Sequence, residues 1–164
     1  MASEEAASHD AKGEEYESED KFEEALAEYQ KGLAIKIKVH GPEHADVAAS
    51  YRLMADLYES EDKSEEALEM FTKSLEIFLK VHGPEHPSVG DSYDAIATLY
   101  YSQEKHEQAL EMYKKGLAIT IKVHGPEHAD VATAYNSMAT LLLLLDKREE
   151  ALVLHEKAEA IMKQ

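Results

Sequence analysis

The stretch Val39–His44 reads Val-His-Gly-Pro-Glu-His, and the same residues recur at Val81–His86 and Val123–His128. Successive copies begin 42 residues apart, without insertion or deletion. The flanking sequence obeys the same period, because Lys31–Ala48 and Lys115–Ala132 differ at a single position. A fixed period of this length indicates a chain built from stacked copies of one supersecondary unit.

Apolar residues within one period follow helical spacing. Tyr51, Met54, Ala55 and Tyr58 lie at positions i, i+3, i+4 and i+7, which form one face of an α-helix. A second apolar face follows, made of Ala67, Phe71, Ser74, Leu75 and Phe78. The alanines of the two faces are expected where the helix backbones approach closely. Each period therefore predicts a helical hairpin.

Turn residues separate the predicted helices. The glycine of each Val-His-Gly-Pro-Glu-His copy is expected to end a helix in the left-handed conformation, and the proline after it cannot continue the helix. The residues expected to cap the following helices are Asp46, Ser88 and Asp130. Within the hairpins, left-handed turn positions are expected at Asp20, Asp62, Asp146 and, less readily, Glu104.

These signals predict an all-α fold, an α-solenoid of about four stacked helix–turn–helix repeats. The expected hairpins span residues 3–40, 46–82, 88–124 and 130–163, within a single domain of residues 1–164. Neither helix of such a hairpin buries its apolar face alone, so neighbouring hairpins complete the core.

The composition narrows the classes of function. The chain has 164 residues, a formal net charge of -17 and no cysteine, which excludes disulfides and thiol nucleophiles. The longest strictly apolar run, Leu141–Leu145, is far too short to span a bilayer. The negative charge disfavours nucleic acid and anionic membranes as partners. We expect a cytoplasmic protein that binds neither.

One motif imitates a metal site. His40–His44 has the His-x-x-Glu-His spacing of inverted zinc proteases, which requires both histidines on one continuous helix. Gly41 and Pro42 interrupt that helix, and the motif recurs as a connector, so we expect a structural role and no metal site. Phosphate-binding Gly-Lys-Ser/Thr loops and nucleophile-elbow serines are missing from the sequence. We therefore expect no cofactor and no catalysis.

The repeats resemble a known family. Ala45–Tyr51, Ala55–Tyr58, Glu65–Leu68 and His40–His44 carry motifs similar to those of the 42-residue tetratricopeptide repeats in kinesin light chain and nephrocystin-3-like proteins. The resemblance covers nearly the whole chain. It implies a right-handed superhelix whose first helices line a concave groove that binds peptides, so that the chain would act as a scaffold or adaptor.

The resemblance also indicates which residues face the groove. The predicted binding residues are Arg52, Asp56, Glu59, Asp91, Asp94, Thr98, Tyr101, Asn136, Thr140 and Leu143. Acidic residues dominate the groove face, so the expected partner is a basic or polar peptide or protein segment. The alternative is a face that is merely solvated. The family's groove asparagine is kept only at Asn136, which argues against acidic cargo peptides.

The last repeat suggests a second surface. Leu143, Leu144 and Leu145 replace residues that are mostly polar in earlier repeats, and His155 replaces an aromatic residue. This end is expected to dock a partner, another copy or the rest of a larger protein. The chain is then a monomer or a weak homo-oligomer. The alternative function is a structural repeat module, excised or engineered, that self-associates through Leu144, Leu145 and His155 without a dedicated ligand.

Overall fold

The computed structural model describes residues 1–163, and these residues form eight α-helices and no strand. The helices are α1 (Ala2–Ser18), α2 (Phe22–His40), α3 (Ala45–Ser60), α4 (Ser64–His82), α5 (Pro87–Ser102), α6 (His106–His124), α7 (Ala129–Leu144) and α8 (Arg148–Met162). Consecutive helices pair as four hairpins. The predicted all-α fold of helix–turn–helix repeats is confirmed. No helix in this part of the chain is long and apolar enough to cross a bilayer.

The chain forms two compact units, Met1–His82 and the residues from Gly83 onward. In the first unit, α1 pairs with α2 and α3 with α4, while α2 packs against α3. In the second unit, α5 pairs with α6 and α7 with α8, while α6 packs against α7. Ala55 and Ala67 are fully buried, as the close approach of helix backbones predicts.

The turn inside each hairpin uses a left-handed residue. Asp20, Asp62, Glu104 and Asp146 have φ angles of 56°, 56°, 59° and 57°. In the third hairpin, the N–H of Glu104 donates to the carbonyl of Tyr101, and that of Lys105 donates to Tyr100. These bonds hold Glu104 in a conformation that a side chain with Cβ adopts at a cost of about 1–2 kcal/mol.

Replacing Glu104 with asparagine should raise the free energy of unfolding by about 0.5–1 kcal/mol, because asparagine tolerates positive φ better than glutamate. Urea denaturation followed by circular dichroism measures the change. Glu107→Asn serves as a control, since Glu107 lies in the first turn of α6 with a helical backbone. An equal gain in both variants would show that charge removal, not φ, is responsible.

The connectors between hairpins differ from the sequence expectation in one respect. Gly41 and Gly125 have positive φ angles of 87° and 90°, but their ψ angles are 166° and 163°. This combination is extended rather than left-handed helical, and it is open essentially to glycine alone. The glycines therefore end the helices by reversing the chain into an extended connector, so the predicted left-handed cap is wrong.

The helix caps also correct the sequence expectation. The N-cap residues are His44, His86 and His128, not Asp46, Ser88 and Asp130. Each histidine Nδ1 accepts a hydrogen bond of 3.2 Å from the backbone N–H two residues later. An imidazole nitrogen thus fills the role that a carboxylate or hydroxyl usually fills.

The histidines of the connector also contact each other. The His40 and His44 rings stack at a centroid distance of 4.4 Å, and those of His124 and His128 at 4.6 Å. Within residues 1–163, no group of three or more His, Asp and Glu side chains has the arrangement of a metal site. The His-x-x-Glu-His motif therefore acts as a cap and a stacked pair in the connector.

Candidate functional site

The second unit contains a cavity of about 360 Å³ lined by residues of α5, α6 and α7, which we call the acidic cavity. Three predicted groove residues, Asp91, Asp94 and Thr98, line it together. The cavity is also lined by Pro87, Gly90, Tyr113, Ile119, Thr120, Val123, His124, Asp130, Thr133, Ala134 and Ser137.

Asp94 lies at the contact between α5 and α6. A Cβ atom added to Gly116 would lie 2.3 Å from Asp94 Oδ1, so the carboxylate rests directly on the backbone of α6. The first unit has the same arrangement, in which a Cβ on Gly32 would lie 2.6 Å from Asp10 Oδ1. The repeats that lack this aspartate have serine or alanine at the glycine position. The aspartate therefore occurs only in repeats whose facing residue is glycine, because a Cβ atom at that position would collide with the carboxylate.

The carboxylate of Asp94 carries an electrostatic penalty. Its Oδ1 atom is buried and has no hydrogen-bond partner among the described residues. Burial raises the pKa of Asp94 to about 6, and the charges of Asp91 and Asp130 add to the rise. Three carboxylates from two helices therefore concentrate negative charge in the acidic cavity, which His124 also lines.

Hydroxyl groups line another part of the acidic cavity. Thr98 Oγ1 and the Tyr113 hydroxyl lie 3.2 Å apart, and the Thr98 hydroxyl also donates to the Asp94 carbonyl at 3.0 Å. Tyr101, predicted to face the groove, is 43% exposed and contacts the His106 ring at 6.1 Å between centroids. Tyr101 is not among the residues that line the acidic cavity.

The last repeat has a second, more apolar cavity of about 630 Å³ between α7 and α8. The predicted residues Asn136, Thr140, Leu143 and His155 line it, and Asn136 Oδ1 lies 3.2 Å from His155 Nδ1. The sequence analysis did not name its other lining residues, which are Ala139, Arg148, Ala151 and Leu152. Ala139 belongs to α7, whereas Arg148, Ala151 and Leu152 belong to α8, so both helices of the last hairpin form the wall of this cavity.

The leucine run at the end of α7 divides into exposed and packed members. Leu143 and Leu144 are 57% and 52% exposed. Leu145 is half-buried and packs against the core cluster of the second unit, so it contributes little to an outer surface. Leu152 and Val153 of α8 are also exposed, at 58% and 50%. The exposed apolar surface was predicted at the end of α7, and the structure shows that it also includes residues of α8.

The first unit holds the remaining predicted groove residues. Arg52 and Glu59 are half-buried on α3, and Asp56 is exposed between them. Desolvation raises the pKa of Asp56, the Arg52 guanidinium opposes the rise, and the Glu17 carboxylate adds to it. Desolvation and the charge of Asp56 also raise the pKa of Glu59. This face therefore carries crowded carboxylates with one nearby guanidinium.

Known proteins share this architecture. A family model described as Tetratricopeptide repeat matches residues 4–80, 61–122 and 115–164. BtubC (BKLC) from P. vanneervenii is similar at a TM-score of 0.85 with 21% identity, over 96% of this chain and 63% of that one. A putative kinesin light chain from Podosopora anserina with nearly identical TPR-like repeats is similar at a TM-score of 0.81 with 24% identity, over 99% of this chain and 77% of that one.

A third solved structure with a similar fold is named as a phosphatase. Aspartyl phosphate phosphatase F from Bacillus subtilis is similar at a TM-score of 0.83 with 17% identity, over 99% of this chain and 41% of that one. A comparison with the curated proteins finds no match. The chain thus spans 63% of BtubC and 41% of the phosphatase, and identities this low show a shared fold alone. The family model confirms the predicted tetratricopeptide repeats, and the solved structures confirm a fold similar to that of kinesin light chain-like repeats. The family model matches nearly the whole chain, and the chain folds as helical hairpins. The chain therefore belongs to the tetratricopeptide repeat family.

Proposed function

We propose that the chain is a scaffold or adaptor module that binds a basic or polar segment of a partner protein on the acidic face of its first helices. Tetratricopeptide repeats typically mediate protein–protein interaction and are typically non-catalytic. The observation that carries the proposal is the acidic cavity, in which Asp91, Asp94 and Asp130 converge. A peptide that brings positive charge to these carboxylates relieves their mutual repulsion.

The formal net charge of -17 also favours a basic partner over an acidic one. A negative field of this size attracts basic segments and accelerates their association at low ionic strength. It repels acidic peptides, nucleic acid and anionic lipid surfaces in the same way. The proposed ligand is therefore defined by charge, and the groove residues Asp91 and Asp94 of the second unit would determine its orientation.

A library of displayed 12-residue peptides tests this function. We expect selected peptides to be enriched in lysine and arginine, and their affinity to fall by about tenfold between 50 and 300 mM salt, because exposed charges are then screened. An Asp91→Asn, Asp94→Asn variant should lose these peptides. The matched control is Glu149→Asn, Glu150→Asn, which removes the same charge from α8. Equal loss in both variants, or no charge preference among selected peptides, contradicts the proposal.

A second candidate function rests on the exposed residues Leu143, Leu144, Leu152 and Val153. Under this alternative the chain is a structural repeat module that self-associates through its last hairpin without a dedicated ligand. Sedimentation velocity across a hundredfold concentration range separates the two. A Leu144→Glu, Leu152→Glu variant should remove any dimer, whereas a monomer throughout the range excludes this alternative.

A further inference from the structure

We propose that the acidic cavity of the second unit is a receptor for a single primary ammonium group, the Nζ of a lysine in the bound peptide. This inference rests on the proposed function and names the chemical group that the module recognises. The evidence is a comparison of two repeats. In each, an aspartate packs directly on a glycine of the next helix, an arrangement that we call the cradle. The cradle of the first unit already holds an ammonium group.

Lys36 is the ammonium donor in the first unit. Its Nζ lies 2.5 Å from Asp10 Oδ2 and 2.7 Å from Ser50 Oγ. The side chains of Lys36 and Asp10 are only 12% and 18% exposed. Asp10 rests on Gly32 through its Oδ1 atom, which has no hydrogen bond among the described residues, so Oδ2 is the oxygen that receives the ammonium. The cradle thus accepts one cation at one carboxylate oxygen.

The second unit keeps this cradle and lacks the lysine. Asp94 and Gly116 occupy the positions of Asp10 and Gly32, two repeat periods further along the chain. The one substitution in the otherwise identical segments Lys31–Ala48 and Lys115–Ala132 is Thr120 in place of Lys36. The Thr120 hydroxyl donates back to the Gly116 carbonyl at 3.1 Å and does not reach the aspartate.

The replacement creates both the space and the charge for an external ammonium. The shorter Thr120 side chain borders the cavity of about 360 Å³, with Asp94 in its wall. The Asp94 Oδ1 atom is buried without a hydrogen-bond partner among the described residues. In the first unit the corresponding carboxylate is neutralised by Lys36. The matching group for the second unit is therefore a cation supplied by a partner.

The geometry selects an ammonium over a guanidinium. Gly116 covers Asp94 Oδ1, which leaves Oδ2 as the accessible oxygen. A guanidinium binds best through two parallel hydrogen bonds to both carboxylate oxygens, whereas an ammonium is a compact point donor. The apolar lining residues Ile119 and Val123 suit the methylene stem of a lysine.

A pair of reciprocal substitutions tests the proposal. The probe is an acetylated and amidated pentapeptide, Ser-Gly-Lys-Gly-Ser, titrated into isotopically labelled protein while NMR follows the Asp94 carboxyl carbon. We expect Thr120→Lys to weaken binding at least tenfold, because the chain's own ammonium then occupies the cavity. Lys36→Thr should create a second binding event, reported by the Asp10 carboxyl carbon. Gln108→Lys, which adds the same charge to an exposed residue of α6 that does not line the acidic cavity, is the matched control and should weaken binding less.

The chemistry of the probe identifies the group that is recognised. Replacing lysine by acetyl-lysine in the pentapeptide should abolish the Asp94 response, and arginine should bind at least fivefold more weakly than lysine. n-Butylamine tests a free amine as the source, and we expect it to bind more weakly than the lysine peptide. Butylamine affinity equal to that of the peptide would overturn the assignment to a peptide lysine.

Failure of this inference is distinguishable from failure of the proposed function. If Thr120→Lys binds the lysine peptide as tightly as the unaltered chain, or acetyl-lysine binds equally well, the ammonium receptor is wrong. Selected library peptides would in that case still depend on Asp91 and Asp94 if the acidic face binds basic partners. Loss of that dependence as well would overturn both.

Discussion

Replacing Tyr29 with alanine should lower the free energy of unfolding by about 3–5 kcal/mol, the range found when a fully buried aromatic side chain is truncated. Tyr29 is 0% exposed. Its ring lies against Gly13, where an added Cβ would be only 2.4 Å from the ring carbon Cε1. The α1 backbone and the α2 ring are thus in direct contact, and truncation leaves a cavity that the two helices cannot close without moving together.

The hydroxyl group of Tyr29 contributes separately from its ring. It donates a hydrogen bond of 2.8 Å to Glu17 Oε2. Burial and this bond raise the pKa of Tyr29, so the phenol stays neutral and acts as a donor. Tyr29→Phe removes the bond and keeps the ring, and we expect a loss of about 1 kcal/mol. Urea denaturation of both variants therefore separates packing from hydrogen bonding.

The equivalent residue two repeats later provides the matched control. Tyr113 occupies the same repeat position as Tyr29 but is half-buried and lines the acidic cavity. Tyr113→Ala should cost about 1–2 kcal/mol, since less apolar surface leaves water when the side chain is only half-buried. A loss for Tyr29→Ala no larger than that for Tyr113→Ala would show that the Gly13 contact adds nothing to stability.

The period and the helix faces were predictable because they depend on spacing alone. Apolar positions such as Met54 and Ala55 recur at the 42-residue period, and the structure buries both. The caps were not predictable in the same way. Carboxylate and hydroxyl caps are common, so Asp46 was the expected choice, but the imidazole of His44 lies closer to the start of the helix and takes the bond.

The acidic cavity was predictable only in part. Helical spacing put Asp91, Asp94 and Thr98 on one face, and the structure gathers them in one cavity. The other walls come from α6 and α7, and the predicted groove residues included none of α6. The sequence did contain a signal for them, because Thr120 is the single departure within a duplicated segment. Its meaning depends on the Lys36–Asp10 pair, which is a contact between residues distant in sequence.

The pH dependence of stability should show a destabilising contribution from Asp94 that grows as pH rises from about 4 to about 6. The pKa of Asp94 is raised to about 6 in the folded chain, above the unfolded value, so the folded state binds this proton more tightly. Stability from this group is therefore fully present below the unfolded pKa and is lost as pH rises through the folded pKa. Partial exposure of Asp94 reduces the loss to about 1–2 kcal/mol at pH 7.

Asp94→Asn measures this contribution, because asparagine has a similar shape and does not titrate. Urea denaturation of the variant and the unaltered chain should give equal pH slopes outside this window. Between pH 4 and 6 the variant should become progressively more stable than the unaltered chain, by about 1–2 kcal/mol at the plateau. Taking the difference between the two chains at each pH isolates the contribution of the Asp94 carboxylate.

The same substitution in the first unit should have the opposite sign. Asp10→Asn removes the carboxylate that pairs with Lys36 and leaves a largely buried ammonium without its counter-charge, so we expect a loss of about 1–3 kcal/mol at pH 7. Thr120→Lys should in turn remove the pH-dependent penalty of Asp94 by giving it the partner that Asp10 already has. If Asp94→Asn and Asp10→Asn both destabilise the chain at pH 7, the two cradles do not differ in charge balance. Opposite signs would mean that one repeat satisfies its aspartate internally, while the other keeps its aspartate for a ligand at a cost in stability.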